Sequence, residues 1–215
     1  MPATPQNKSW RPMNVKRSIK NIPGLGELYR LLIVYIHEFP NRGKHGFHCD
    51  RVFQRLIQEI ISCLPITSFV ETGTYMGDST AYVASRWSNL PIFTCGINDD
   101  FFFKSKHRLK KFRNVELSRT SSQEYIKELV ENNRLGKLPL FFLDAHWYDY
   151  WPLEDEIYVI SFSCPNAIII IDDFVVPDRP EFGYDIGGGG SKEFSGKTVS
   201  DQKVCGLDLV KPKMN

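Results

Sequence analysis

Three carboxylates and a histidine are the residues of this chain whose types and spacing could do chemistry. Asp144 follows the apolar run 138–143, and Asp172 with Asp173 follows the still more apolar run 167–171. If both runs are neighbouring strands of one parallel sheet, the acids gather at its carboxyl edge, where such sheets bind ligands. Carboxylates held together repel one another unless a cation or donors neutralise them. Hard oxygen ligands from two strand ends suit Mg²⁺, which keeps several waters and leaves positions for substrate oxygens. The plainer account of the same acids is that they cap turns or pair with Arg179. His146 stands two residues past Asp144. It could take a proton from a substrate hydroxyl near neutral pH, ligate a metal, or hold Asp144 by a hydrogen bond. Trp147, Tyr148, Tyr150 and Trp151 crowd beside it, either as walls for a flat or sugar-like substrate or as packing against the next helix.

A second constellation is Glu71-Thr-Gly-Thr-Tyr-Met-Gly-Asp-Ser-Thr80. The apolar run 66–70 before it reads as a buried strand, and residues 79–87 after it read as a helix. Gly73 and Gly77 let the backbone turn sharply and approach a ligand with no Cβ in the way. Asp78, Ser79 and Thr80 are helix-start residues, and a helix N-terminus leaves N–H groups unpaired. Strand, glycine turn and helix in that order make a nucleotide-cofactor crevice. Tyr75 sits where the dinucleotide fingerprint needs a close glycine, which speaks against an oxidoreductase.

The elements that must position these residues alternate along the chain. Asp50 can cap a helix whose apolar positions Val52, Phe53, Leu56, Ile57, Ile60 and Ile61 recur at helical spacing. Strands are expected at 66–70, 91–95, 115–117, 138–143 and 167–171, with helices at 79–87, 101–112, 122–132 and 153–162 between them. Five βα units in a row imply a parallel sheet with helices on both faces. Upstream, a basic arm and a short helix at 28–39 occupy residues 1–48. Beyond 176 the pattern dissolves into a Gly/Pro-rich tail, 177–215, which reads as frayed or loosely packed, or as a mobile lid. The core domain is thus 49–176.

The 215 residues suit one mid-sized domain with a sizeable core, and a net charge of +2 gives no pull toward nucleic acid or membrane. Lys8, Arg11, Lys16, Arg17 and Lys20 make the first twenty residues basic, which reads as a solvated extension. The five cysteines are odd in number and scattered, which favours reduced core thiols over disulfides or a zinc site. The run 31–36 is too short to span a bilayer, and no secretory signal precedes it. A cytoplasmic protein is expected.

Taken together, Glu71–Thr80, Phe142-Leu-Asp-Ala-His-Trp147 and Ile170-Ile-Asp-Asp-Phe174 resemble class I S-adenosylmethionine-dependent methyltransferases. The closer likeness is to the small-molecule and sugar O-methyltransferase branch of macrocin type, over roughly residues 50–174. The resemblance implies a Rossmann-like, doubly wound, mostly parallel α/β sheet, with the C-terminal strand pair missing or incomplete here. It implies S-adenosylmethionine over Glu71, Gly73 and Gly77, with Thr74, Tyr75, Ser79, Thr80, Ser121, Ser122 and Asp144 as further contacts. It implies Mg²⁺ or another divalent cation at Asp144, Asp172 and Asp173, with Asp144 and His146 as catalytic residues. The acceptor would be a small-molecule or sugar-like hydroxyl, with no clear nucleic-acid partner and a homo-oligomer left open.

Two departures from the family pattern bear on activity. The acid that ends the second strand and grips the ribose is replaced by Gly96, with Asn98 or Asp99 as substitutes within reach. The Asp that faces the adenine amino group is replaced by Ser121. A catalytically degenerate relative, acting as a binding or interaction module, is therefore the alternative to an active transferase.

Overall fold

Alternation along the strands decides which side chains face which layer, and it is visible in how successive strand residues divide between two core clusters. In the computed structural model, which describes residues 46–145, 151–179, 186–187 and 203–211, five strands carry the molecule. They are β1 (Ser68–Thr72), β2 (Ile92–Cys95), β3 (Val115–Ser118), β4 (Pro139–Leu143) and β5 (Ile168–Ile171). Between them run α2 (Asp78–Arg86), α3 (Asp99–Leu109), α4 (Ser122–Glu131) and α5 (Leu153–Ser163), and α1 (Arg51–Cys63) precedes β1. The chain divides into two units, Met1–Pro40 and Asn41–Asn215, and every described residue belongs to the second. The expected basic arm and the helix at 28–39 lie outside the described residues.

The sheet runs β3-β2-β1-β4-β5 with every pair parallel. The order reverses between β1 and β4, the switch point at which open α/β sheets leave a crevice. This is the doubly wound, Rossmann-like arrangement expected above. Successive residues of a strand point to opposite faces. Phe69, Ile92, Leu140 and Phe142 pack on one face with Ile57 of α1 and Tyr82 and Val83 of α2. Val70, Phe93, Phe141 and Leu143 pack on the other with Tyr125, Ile126 and Leu129 of α4 and Ile157 and Ile160 of α5. Helices therefore cover both faces.

Asp50 caps α1 as its sequence position suggests, its Oδ1 accepting from the Val52 and Phe53 N–H groups at 2.7 and 3.1 Å. The buried stripe of α1 is narrower than its apolar residues: Ile57 and Ile61 are buried, whereas Val52 is 80% exposed and Leu56 43% exposed. Six apolar positions span more of the helix than one sheet face can cover.

The C-terminal region corrects one expectation. A short antiparallel pair, β6 (Ile186–Gly187) with β7 (Lys203–Val204), forms a sheet of its own, followed by α6 (Leu207–Val210). Cys205 and Val210 are buried in the core with α5. The Val175 N–H donates to the Cys205 carbonyl at 2.6 Å. The described part of the tail packs rather than frays, because Cys205 and Val210 supply apolar surface that the glycines around them conceal in the sequence. The cysteines also divide: Cys95 and Cys205 are buried, Cys164 is half-buried, and Cys49 and Cys63 lie exposed, and none of the five forms a disulfide. No helix among the described residues is long and apolar enough to cross a membrane.

Candidate functional site

Register brings the site together. Thr72 pairs with Leu143, and Leu143 with Ile171, so the next residues along, Gly73, Asp144 and Asp172, stand side by side at the carboxyl edge. The Asp144 N–H donates to the Thr72 carbonyl at 3.2 Å, and the Asp172 N–H to the Leu143 carbonyl at 3.0 Å. Contact between the glycine turn and the acid strand is closer still. A Cβ on Gly73, whose φ is +84°, would lie 2.4 Å from the Asp144 carbonyl oxygen, so no other residue fits there. The Gly73 and Thr74 N–H groups both donate to the Cys95 carbonyl, at 3.1 and 3.0 Å, which ties the turn to β2.

Beneath the turn lies a buried polar network. By alternation Glu71 points to the face that α2 covers, where it accepts from the Thr80 hydroxyl and, at 3.4 Å, from the Thr94 hydroxyl. Thr74 and Thr94 share a further hydrogen bond of 2.7 Å. Burial pushes the Glu71 carboxyl up to about 8 against the pull of these hydroxyls. Glu71 and Thr80 thus brace the turn from below. Tyr75, at φ +44°, is exposed and packs against Phe101 of α3 with ring centroids 4.4 Å apart and the planes tilted by 59°.

The start of α2 differs from expectation in its use of side chains. Gly77, at φ +75°, takes the cap position, with no side-chain cap. Asp78 pairs with Arg108 of α3. The Ser79 hydroxyl accepts from the Phe47 N–H at 2.9 Å. The helix is therefore held by its neighbours, and no side chain among the described residues caps its first-turn N–H groups. On α4, the Ser121 hydroxyl donates to Glu124 at 2.6 Å. Ser122 is buried.

Gly96 directly follows β2, its N–H donating to the Ser118 carbonyl at 3.2 Å, and both substitutes for the ribose acid are already engaged. The Asn98 side chain caps α3, accepting from the Asp100 and Phe101 N–H groups at 3.0 and 3.1 Å. Asp99 pairs with Arg119 at 2.9 Å across the mouth of the sheet.

At the acid end, three groups from distant parts of the chain converge. Ligand atoms of His48, Asp144 and Asp172 all lie within 4.8 Å of one another. Asp173, at φ +48°, is exposed and borders the same pocket without joining that group. His48 was missed by the sequence reading, which left it in the basic arm. It sits on a short 3₁₀ turn, Gly46–Cys49, in which Phe47, His48 and Cys49 all have positive φ. His146, Trp147, Tyr148 and Tyr150 lie outside the described residues, and Trp151 packs half-buried against the core.

Glu156 of α5 also borders this pocket. It is fully buried, and neither carboxyl oxygen finds a hydrogen-bond partner among the described residues. Burial pushes it up to about 7, while the Ser122 and Thr72 hydroxyls that face it, short of good hydrogen-bond geometry, pull it down. A donor set of one imidazole and two carboxylates, backed by a buried acid, fits a divalent cation.

No protein-family model and no curated protein matches the sequence. Among solved structures, the chain is similar to a protein assigned as a caffeoyl-CoA O-methyltransferase from Staphylococcus aureus. The identity there is 15%, the TM-score 0.48, and 68% of this chain and 73% of that one are covered. It is similar to the methyltransferase PaMTH1 of Podospora anserina with SAH bound, at 19% identity and a TM-score of 0.47, covering 78% and 74%. A third is the N-terminal domain of EvdMO1 with SAH bound, at 15% identity and a TM-score of 0.45, covering 75% and 66%. These are distant likenesses of chain path and carry no chemistry by themselves.

Proposed function

We propose that the protein is an S-adenosylmethionine-dependent methyltransferase that methylates the hydroxyl of a small or sugar-like acceptor with help from a divalent cation. The observation that carries this reading is the contact of the glycine turn with the acid strand. Because Gly73 lies against the Asp144 backbone, a cofactor over the turn and an acceptor at the acids would occupy one crevice. S-adenosylmethionine brings a methyl group already activated by its sulfonium, so the chain's task is to position the acceptor and remove its proton.

Gly73, against the Asp144 backbone, and Gly77, against Ser105 and Leu109 of α3, let the turn fold tightly beneath a cofactor. Glu71 and Thr80 brace it, and the exposed ring of Tyr75 offers a face to the cofactor. Asp144 and Asp172 are the residues that would hold a cation, which would supply the charge that favours the deprotonated acceptor hydroxyl. Asp144 stands nearest to both halves of the crevice and orients the acceptor against the methyl donor.

Release of S-adenosylhomocysteine from a panel of hydroxyl acceptors, with and without added divalent cation, tests the reading. Turnover should require the cation and should vanish in Asp144→Ala. Full activity in that variant would remove Asp144 from the mechanism. Binding of S-adenosylmethionine with no turnover on any acceptor would favour the degenerate relative.

A further inference from the structure

We propose that His48 completes the strand-end site as a nitrogen ligand, which makes it a site for a first-row transition cation rather than for Mg²⁺. The proposal rests on the reading that this crevice holds a metal, and changes which metal it takes. Three segments far apart in sequence deliver one imidazole and two carboxylates whose ligand atoms lie within 4.8 Å of one another. Mg²⁺ prefers an all-oxygen shell, whereas an imidazole beside carboxylates favours cations of the Fe²⁺, Co²⁺ or Zn²⁺ kind. A separate observation points to a cation in the same pocket. Glu156 borders the pocket that Asp144 and Asp172 line, fully buried and with neither carboxyl oxygen hydrogen-bonded among the described residues, the arrangement expected of an acid that backs a positive charge.

The chain invests in placing His48. Phe47 is buried against Phe53, Tyr82 and Phe142, and Phe142 lies on β4 two positions before Asp144. Its N–H is held by Ser79 and its carbonyl by the Asp50 N–H, at 2.9 Å each. The Gln54 side chain donates to the Gly46 carbonyl at 2.8 Å. The turn is thus pinned on both sides of the imidazole.

Titration of the full chain with Co²⁺, followed by visible absorption and with Mg²⁺ as competitor, tests this without cofactor or acceptor. Co²⁺ should bind at least about tenfold more tightly than Mg²⁺. His48→Asn, which tolerates the left-handed backbone, should lose about tenfold or more in Co²⁺ affinity and shift the absorption bands, with Mg²⁺ affinity little changed. An unchanged thermal unfolding curve for the variant would show that the loss is not one of folding. Equal Co²⁺ affinity in His48→Asn, or displacement of Co²⁺ by Mg²⁺ at equal concentration, would overturn the proposal. A chain that binds S-adenosylmethionine but no Co²⁺ sinks this inference alone, and one that binds Co²⁺ through His48 but no cofactor sinks the methyltransferase reading alone.

Discussion

Glu71 gives the molecule a pH signature that ordinary surface acids would not. Its carboxyl is raised from 4.5 to about 8 by burial. Between those values the unfolded chain has released the proton that the folded chain keeps, so stability falls as pH rises through that window. The contribution is fully present below 4.5 and gone above 8. Glu156, raised to about 7, adds to the fall over the lower part of the window. Urea midpoints should therefore decline between pH 4.5 and 8, and Glu71→Gln should decline less steeply. A flat profile in the parent chain would mean that Glu71 ionises in place. Gly96 makes the opposite kind of prediction. A Cβ there would meet only Thr74 atoms at 3.8–3.9 Å, ordinary contact, so a side chain fits. Gly96→Glu restores an acid where Asn98 and Asp99 are committed elsewhere. One charge-assisted hydrogen bond contributes roughly 1.5–3 kcal/mol, so S-adenosylmethionine should bind about tenfold more tightly or better. Unchanged affinity would show that another residue already grips the ribose.

At the scale of elements, the short turn Gly46–Cys49 does more than its length suggests. Phe47 is 3% exposed, and its loss from the aromatic cluster should cost about 3–5 kcal/mol. Phe47→Ala should lower the thermal midpoint by about 10 °C in calorimetry, whereas a shift within error would mean that the turn is not anchored. This turn was also the least legible part of the site. The strands could be read because runs buried on both faces are continuously apolar, and Asp144 and Asp172 could be placed because each follows such a run. His48 could not, since it follows a loop without periodicity and meets its partners only through the fold. The stripe of α1 was legible in kind but not in width, as exposed Val52 and Leu56 show. The closing strands β6 and β7 are two residues each, too short to register as alternation among glycines. The only forward sign of His48 was its neighbourhood: a glycine, an aromatic anchor and a helix cap at Asp50, in immediate succession.

For the whole molecule, the account stands on one crevice. The strand order reverses between β1 and β4, and there the glycine turn, braced from the β2 side by the buried threonines, stands beside the convergent His48, Asp144 and Asp172. The same architecture could hold other nucleotides, so the cofactor itself is the claim most worth testing. Calorimetric titration of the purified chain with S-adenosylmethionine, with and without a divalent cation, addresses it most directly. The account predicts one site with micromolar affinity. No binding up to millimolar concentration, in either condition, would contradict it and leave a Rossmann-like fold whose crevice serves another ligand.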